Sequence, residues 1–137
     1  MLQVPQYDPI QFGEAALKLR AYRQELISSN LVNADTPGFR AKDIQFGDVL
    51  KQTLDNKLPS AGVYLATTNA RHFGGIKSSA INTEFRSSVQ PALDGNTVDP
   101  DIERSEFMKN SFFTEATLSF LSSSIKTRIS AITGQAQ

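Results

Sequence analysis

A chain of 137 residues, 39% of them hydrophobic, has the size of a single domain with a modest core. Its fourteen basic and fourteen acidic residues cancel, and they stay near balance along the chain: 5 against 5 through residue 43, 5 against 4 over 44–98, and 4 against 5 beyond. That distribution gives no one-sided positive field for a phosphate backbone, which argues against nucleic acid, and the absence of cysteine removes disulfides, thiolate catalysis and cysteine metal sites.

Residues 9–33 read as one amphipathic helix. Asp8 is placed as its N-cap, and Pro9 stands at the first helical position, where a missing N–H costs nothing. Phe12, Ala15, Ala16, Leu19, Tyr22, Leu26 and Ser29 recur at three- and four-residue steps. Phe12, Leu19 and Leu26 are seven apart, the repeat of a coiled-coil seam. Gly13 should weaken the first turn by roughly 1 kcal/mol relative to Ala. The pattern breaks on Thr36-Pro37-Gly38, where Pro37 fixes φ and Gly38 permits a type II reversal.

Phe46, Val49, Leu50, Thr53 and Leu54 then predict a short second helix. Residues 63–68, "VYLATT", are β-branched and aromatic enough for a strand, and 69–96 read as loop with one or two short strands at most. Asp94-Gly95-Asn96 is a turn leading into the last helix. Asp99 is its expected N-cap, Pro100 its first residue and Gly134 its stop. Within it Leu118, Leu121, Ile125, Ile129 and Ile132 step by 3, 4, 4 and 3, a second coiled-coil-like stripe. Ile27, Leu31, Phe112, Phe113 and Phe120 lie off these seams and are expected on outer faces.

The fold class that follows is mainly α: long N- and C-terminal helices pairing as an antiparallel coiled coil, with a short middle helix and a small irregular or β segment between them. The alternative is a three-helix globule that buries the off-seam apolar groups. The organisation expected is 1–43 for the first helix and its turn, 44–98 for the middle segment and 99–137 for the last helix, as one structural unit. No apolar run approaches the ~20 residues that span a bilayer. No charged segment followed by an apolar one marks a cleavable signal peptide at the N-terminus.

Chemistry finds little support. His72 is the single histidine, and no second one stands at helical spacing to complete a zinc site. Asp94, Asp99, Asp101, Glu103 and Glu106 do not match calcium-loop spacing and are better read as carboxylates at a helix start. Gly74-Gly75 lacks the Lys-Ser/Thr of a phosphate loop, and Ser122-Ser123-Ser124 has no base or nucleophile elbow nearby in sequence. No catalytic or metal residue, cofactor or small-molecule substrate is expected.

The segment "NLVNADTPGFRAKDIQF" (30–46) resembles the signature of the flagellar rod and hook axial proteins, a first helix ending in an Asn-x-x-Asn-x-x-Thr-Pro-Gly-aromatic turn. Asn30, Asn33, Thr36, Pro37, Gly38 and Phe39 carry that match. "LDGNTVDPDIERSEF" (93–107), with Asp94, Gly95, Asn96 and Asp99, resembles the lead-in to the last helix of the proximal rod members, and "ATTNARHF" (66–73) adds a weaker match. The resemblance implies a structural subunit of the proximal rod of the bacterial flagellar basal body that helps transmit torque to hook and filament. It implies export by the flagellar type III apparatus and a place in the periplasm. The implied partners are further copies of the chain, other rod proteins such as FlgC, the adaptor FliE, the membrane ring protein and the export apparatus. Phe12, Leu19, Tyr22, Leu26, Leu118, Leu121, Ile125, Ile129 and Ile132 would then pack helices within or between subunits. A reading of another class is a helical adaptor or chaperone-like module that holds a partner helix on its apolar stripes.

Overall fold

The structure, a computed structural model, describes residues 7–55, 81–87 and 93–134. Along the chain these form α1 (Pro9–Val32), β1 (Lys42–Asp43), α2 (Phe46–Leu54), β2 (Glu84–Phe85) and α3 (Pro100–Thr133). The strand expected at 63–68, His72 and Gly74-Gly75 lie outside the described residues. The chain is mainly helical, its two long terminal helices pack together, and a two-stranded ribbon stands beside them.

The helix ends follow local chemistry. Asp8 Oδ1 accepts from the Ile10 N–H at 2.9 Å ahead of Pro9, and Asp99 Oδ1 accepts from Asp101 N at 3.0 Å and Ile102 N at 3.3 Å ahead of Pro100. In both cases a carboxylate takes up orphan donors of the first turn. Gly134 closes α3 at φ 68°, a left-handed cap that glycine adopts without a Cβ penalty. With 24 and 34 residues, α1 and α3 extend for about 36 and 51 Å.

The two helices run antiparallel. Descending α1, Asn30 meets Glu103, Arg23 meets Glu106, the Arg20 carbonyl meets Asn110 and Gly13 meets Leu121; Asp8 pairs with Arg128. This seam is polar over much of its length. Asn30, Glu103 and Asn110 are buried in it, and Asn110 Nδ2 donates to Arg20 O at 3.0 Å and Gln24 Oε1 at 2.6 Å. Gly13 has a use here: a Cβ at that position would lie 2.9 Å from Leu121 Cδ1, so the missing side chain lets α3 approach.

The residues that join the helices differ from those the heptad spacing suggested. Leu19 and Ala16, with Tyr22 and Leu26 beside them, pack against Ile44, Val49 and Leu50 in the apolar core. The α1 stripe therefore faces α2 and the chain leading into it. Phe12, its first expected member, is exposed. On α3, Leu118, Ile125, Ile129 and Ile132 are exposed, and only Leu121 of that stripe is half-buried. Ile27 also departs from expectation: placed on an outer face by its spacing, it is fully buried. The physical reason is common to the two stripes. A short α2 carrying Val49 and Leu50 offers a drier surface to α1 than α3 does, and burial of apolar area decides which face turns inward.

Candidate functional site

Two segments far apart in sequence meet at the end of the α1–α3 pair. Asn33 caps α1, its Nδ2 donating to Ser29 O at 2.8 Å, and Thr36 Oγ1 donates to Asn33 Oδ1 at 3.2 Å. The Phe39 N–H then donates to Thr36 O at 3.2 Å around Pro37-Gly38, with Gly38 at φ 72°. These are the bond and the positive φ of a turn with glycine at its third position.

The second segment docks on this turn. The Gly38 N–H donates to Asp94 O at 3.0 Å, and Thr97 N donates to Phe39 O at 3.0 Å. Thr97 Oγ1 accepts from Ala41 N at 2.8 Å. Gly95 also has positive φ, 78°, and a Cβ there would come to 3.8 Å from Gly38 Cα, so the two glycines face each other. Asn96 fastens the pair. Its Nδ2 shares its protons among Ala34 O at 2.7 Å, Thr36 O at 2.9 Å and Asn33 O at 3.2 Å. Its Oδ1 accepts from Val98 N at 2.7 Å, and the whole residue is buried.

Asn30 reaches the other way. Its amide exchanges bonds with the Lys42 backbone, Nδ2 to O at 2.8 Å and Oδ1 from N at 3.0 Å, which holds β1 against α1 as a ladder partner would. The same Nδ2 donates to Glu103 Oε2 at 3.2 Å.

Beside Asn30 lies an ionic network. Asp43 receives Arg23 in a fork, Nε to Oδ1 and Nη2 to Oδ2, both at 2.8 Å. It also accepts from Arg86 Nη2 and from the Ile44 N–H. Arg23 continues to Glu106 at 2.9 Å and Arg86 to Glu103 at 2.6 Å, so α1, β1, the chain after β2, and α3 converge on two guanidiniums and three carboxylates. Lys109 reaches Glu106 from the rim at 3.5 Å. A groove of about 430 Å³ opens against Arg23, Asp43 and Arg86, whose charges are already committed to one another.

The half-buried Asp43 and the buried Glu103 respond oppositely. Burial works against ionisation of Asp43, but bonds from Arg23, Arg86 and the Ile44 N–H outweigh it and hold the carboxyl down at about 2. Burial pushes the Glu103 carboxyl above its ordinary value, against the pull of Asn30 and Arg86. Stability from Asp43 is thus complete above 3.8 and is lost as pH falls toward about 2, while the Glu103 contribution changes in the opposite sense and grows as pH falls through its raised value. Denaturant midpoints measured from pH 5 down to pH 2 should fall steeply only over the lower part, and Asp43→Asn should flatten that limb.

Gly38 carries a further expectation. Nothing lies within 4 Å of a Cβ placed there, so substitution meets backbone strain rather than a clash. Gly38→Val should lower stability by about 1–3 kcal/mol in a denaturant titration, with Gly38→Ala losing less, because a β-branched residue resists φ > 0.

The turn residues Asn33, Thr36, Gly38 and Phe39, with Pro37 between them, are thereby brought together with Asp94, Gly95 and Asn96, while Asn30 binds Lys42 and Glu103 instead and Asp99 caps α3 directly after the second segment. The stripe residues do not join this site. Spacing does not single out Arg23, Asp43 and Arg86 and reads Glu103 only as a helix-start carboxylate, since the partners in this network stand 17 to 83 residues apart. Among the described residues no group of three or more His, Cys, Asp or Glu could hold a metal, and no helix is long and apolar enough to cross a membrane.

Comparison with known proteins gives the same direction. Residues 10–40 match the family described as flagella basal body rod protein. The flagellar basal body rod protein FlgB of Yersinia enterocolitica is 42% identical over 126 residues, covering 90% of this chain and 92% of that protein. The FlgB proteins of Salmonella typhimurium and Escherichia coli are 39% and 40% identical, covering 91% and 85% of this chain and 93% and 87% of their own lengths. The matched span takes in the first helix, the turn and, in these relatives, nearly all that follows, and the chain belongs to the FlgB family of flagellar basal body rod proteins.

Proposed function

We propose that the chain is a structural subunit of the proximal rod, a piece of the shaft that carries motor torque to hook and filament, with no catalytic step and no cofactor. The observation that carries this reading is the orientation of α3. Its inward face is polar, with Glu103 and Asn110 buried, while Met108, Phe112, Leu118, Phe120, Ile129 and Ile132 point outward. A helix whose pairing within the chain uses polar groups keeps its apolar side for neighbours. In the rod those neighbours are further copies and related rod proteins such as FlgC, with the adaptor FliE and the membrane ring protein at the base. The subunit reaches the periplasm through the flagellar export apparatus.

The chain contains no cysteine, so a single introduced thiol reports one position. Ile129→Cys in cells, treated with a short bismaleimide, should give a covalent adduct with another rod chain in purified basal bodies. An adduct formed only by an exposed control such as Lys18→Cys, or none at all, contradicts the role given to the α3 face.

A further inference from the structure

The ion pairs that tie α1 to other elements use Arg23 and leave Arg20 out. The Arg20 guanidinium lies over the Phe46 ring at 4.3 Å and over the Phe113 ring at 4.9 Å, held between α2 and α3. Among the described residues it has no carboxylate and no hydrogen-bond acceptor, although its neighbour Arg23 has two acids. Its Nε is buried without a partner. The two terminal nitrogens are not enclosed in that way, so the forked end meets solvent between the rims of two aromatic rings. Burial lowers its pKa, and the positive charge of Arg23 adds to this; among the described residues no carboxylate offsets the guanidinium, which is left to the two ring faces and to solvent.

A fork held between two rings, with its end open to solvent, is free to take up a carboxylate. Two aromatic faces fix the plane of the fork and remove its rotamer freedom before any partner arrives, which is the preorganisation that makes arginine an anchor at interfaces. The surround fits. Phe113 is partly exposed and meets Phe112 edge-on with centroids 5.9 Å apart, and Phe112 is largely exposed, so a ring of apolar surface lies next to the fork and would exclude water once covered.

We propose that Arg20, clamped between Phe46 and Phe113, is a receptor for an acidic side chain of a neighbouring rod subunit, which supplies the carboxylate that Arg20 lacks among the described residues. This rests on the reading of the chain as a rod subunit. The occupant is a protein-borne carboxylate flanked by apolar side chains: the fork accepts two oxygens in one plane, and the adjoining phenyl rings call for apolar cover.

The test uses a strain lacking the gene and complemented with variants. Unmodified chain should restore swimming; if it does not, the rod reading fails before Arg20 is examined. Arg20→Glu should cut the chain recovered in purified basal bodies at least tenfold. Second-site suppressors should replace an Asp or Glu of a rod chain by a neutral or basic residue. Suppressors confined to residues that pack around Arg20 within the chain, such as Phe46 and Phe113, overturn the proposal. Arg20→Gln separates folding from docking. It should keep the wild-type circular dichroism spectrum and melting temperature while failing to incorporate, and Arg20→Lys, which keeps the charge without the fork, should restore incorporation only in part. If Arg20→Gln fails to fold, or incorporates as well as the unmodified chain, the guanidinium serves only the subunit's own packing and the proposal is wrong.

Discussion

Replacing Asp43 with Ala is expected to remove about 2 kcal/mol of stability, between the loss of an exposed pair and that of a fully buried one, because it strands two half-buried guanidiniums. Asp43 is the one carboxylate that both Arg23 and Arg86 share, with 18% of its side chain exposed. Its loss leaves Arg23 with Glu106 alone and Arg86 with Glu103 alone, and it removes the acceptor for the Ile44 N–H at the start of α2. The consequence is more than local, since these bonds tie β1, the chain after β2 and α3 to α1. Asp43→Asn keeps the shape and an acceptor and should cost less. A double-mutant cycle with Arg23→Ala separates the pair from the stranded partner: coupling should be large, and simple additivity of the two single losses would show that the network does not act as one unit.

Asn96→Ala should cost about 2–4 kcal/mol, through the unmet needs of several backbone groups rather than one. Its amide satisfies carbonyls of Asn33, Ala34 and Thr36 and the N–H of Val98, all at a buried position. Neither water nor a neighbouring side chain replaces these groups without opening the contact between the turn and the start of α3. Asn96→Asp should be nearly as damaging, because a carboxylate cannot donate to the three carbonyls and would face them with like charge. Urea midpoints of the purified variants decide this. An Asn96→Ala protein within about 0.5 kcal/mol of the unmodified chain would mean that the turn holds its shape without the second segment.

How much of this was legible in the sequence depends on distance along the chain. Asp8-Pro9, Asp99-Pro100 and Gly134 mark helix ends by interactions within one turn, and the structure places α1 and α3 between those marks. Phe46, Val49, Leu50 and Leu54 likewise delimit α2 by periodicity alone. The pairing of α1 with α3 was legible from length and order, but not the faces that make it. A heptad of Phe12, Leu19 and Leu26 cannot say whether its partner is α2 or α3, and the buried Asn30, Glu103 and Asn110 look in sequence like surface residues. The turn residues were visible because Pro37 and Gly38 have intrinsic backbone preferences. That Gly95 and Asn96 fold onto them was hidden, as it depends on contact across some 60 residues, as with Asn96 and Thr36. The ionic network was hidden for the same reason. One usable signal remained: two arginines and several acids on segments otherwise short of apolar residues.

The turn, the lead-in to α3 and the ionic network set the angle at which α1 hands the chain to the middle segment and receives α3. Apolar residues of α3 such as Phe120 and Ile132 are thus left exposed, outside the polar bonds made within the subunit.

The most direct test is quantitative mass spectrometry of basal bodies purified from the host, alongside a strain lacking the gene. The account predicts the chain in the rod at several copies per basal body, and, in its absence, cells that do not swim and carry no rod or hook. Complete, rotating flagella on cells without the chain, or basal bodies that do not contain it, would contradict the account.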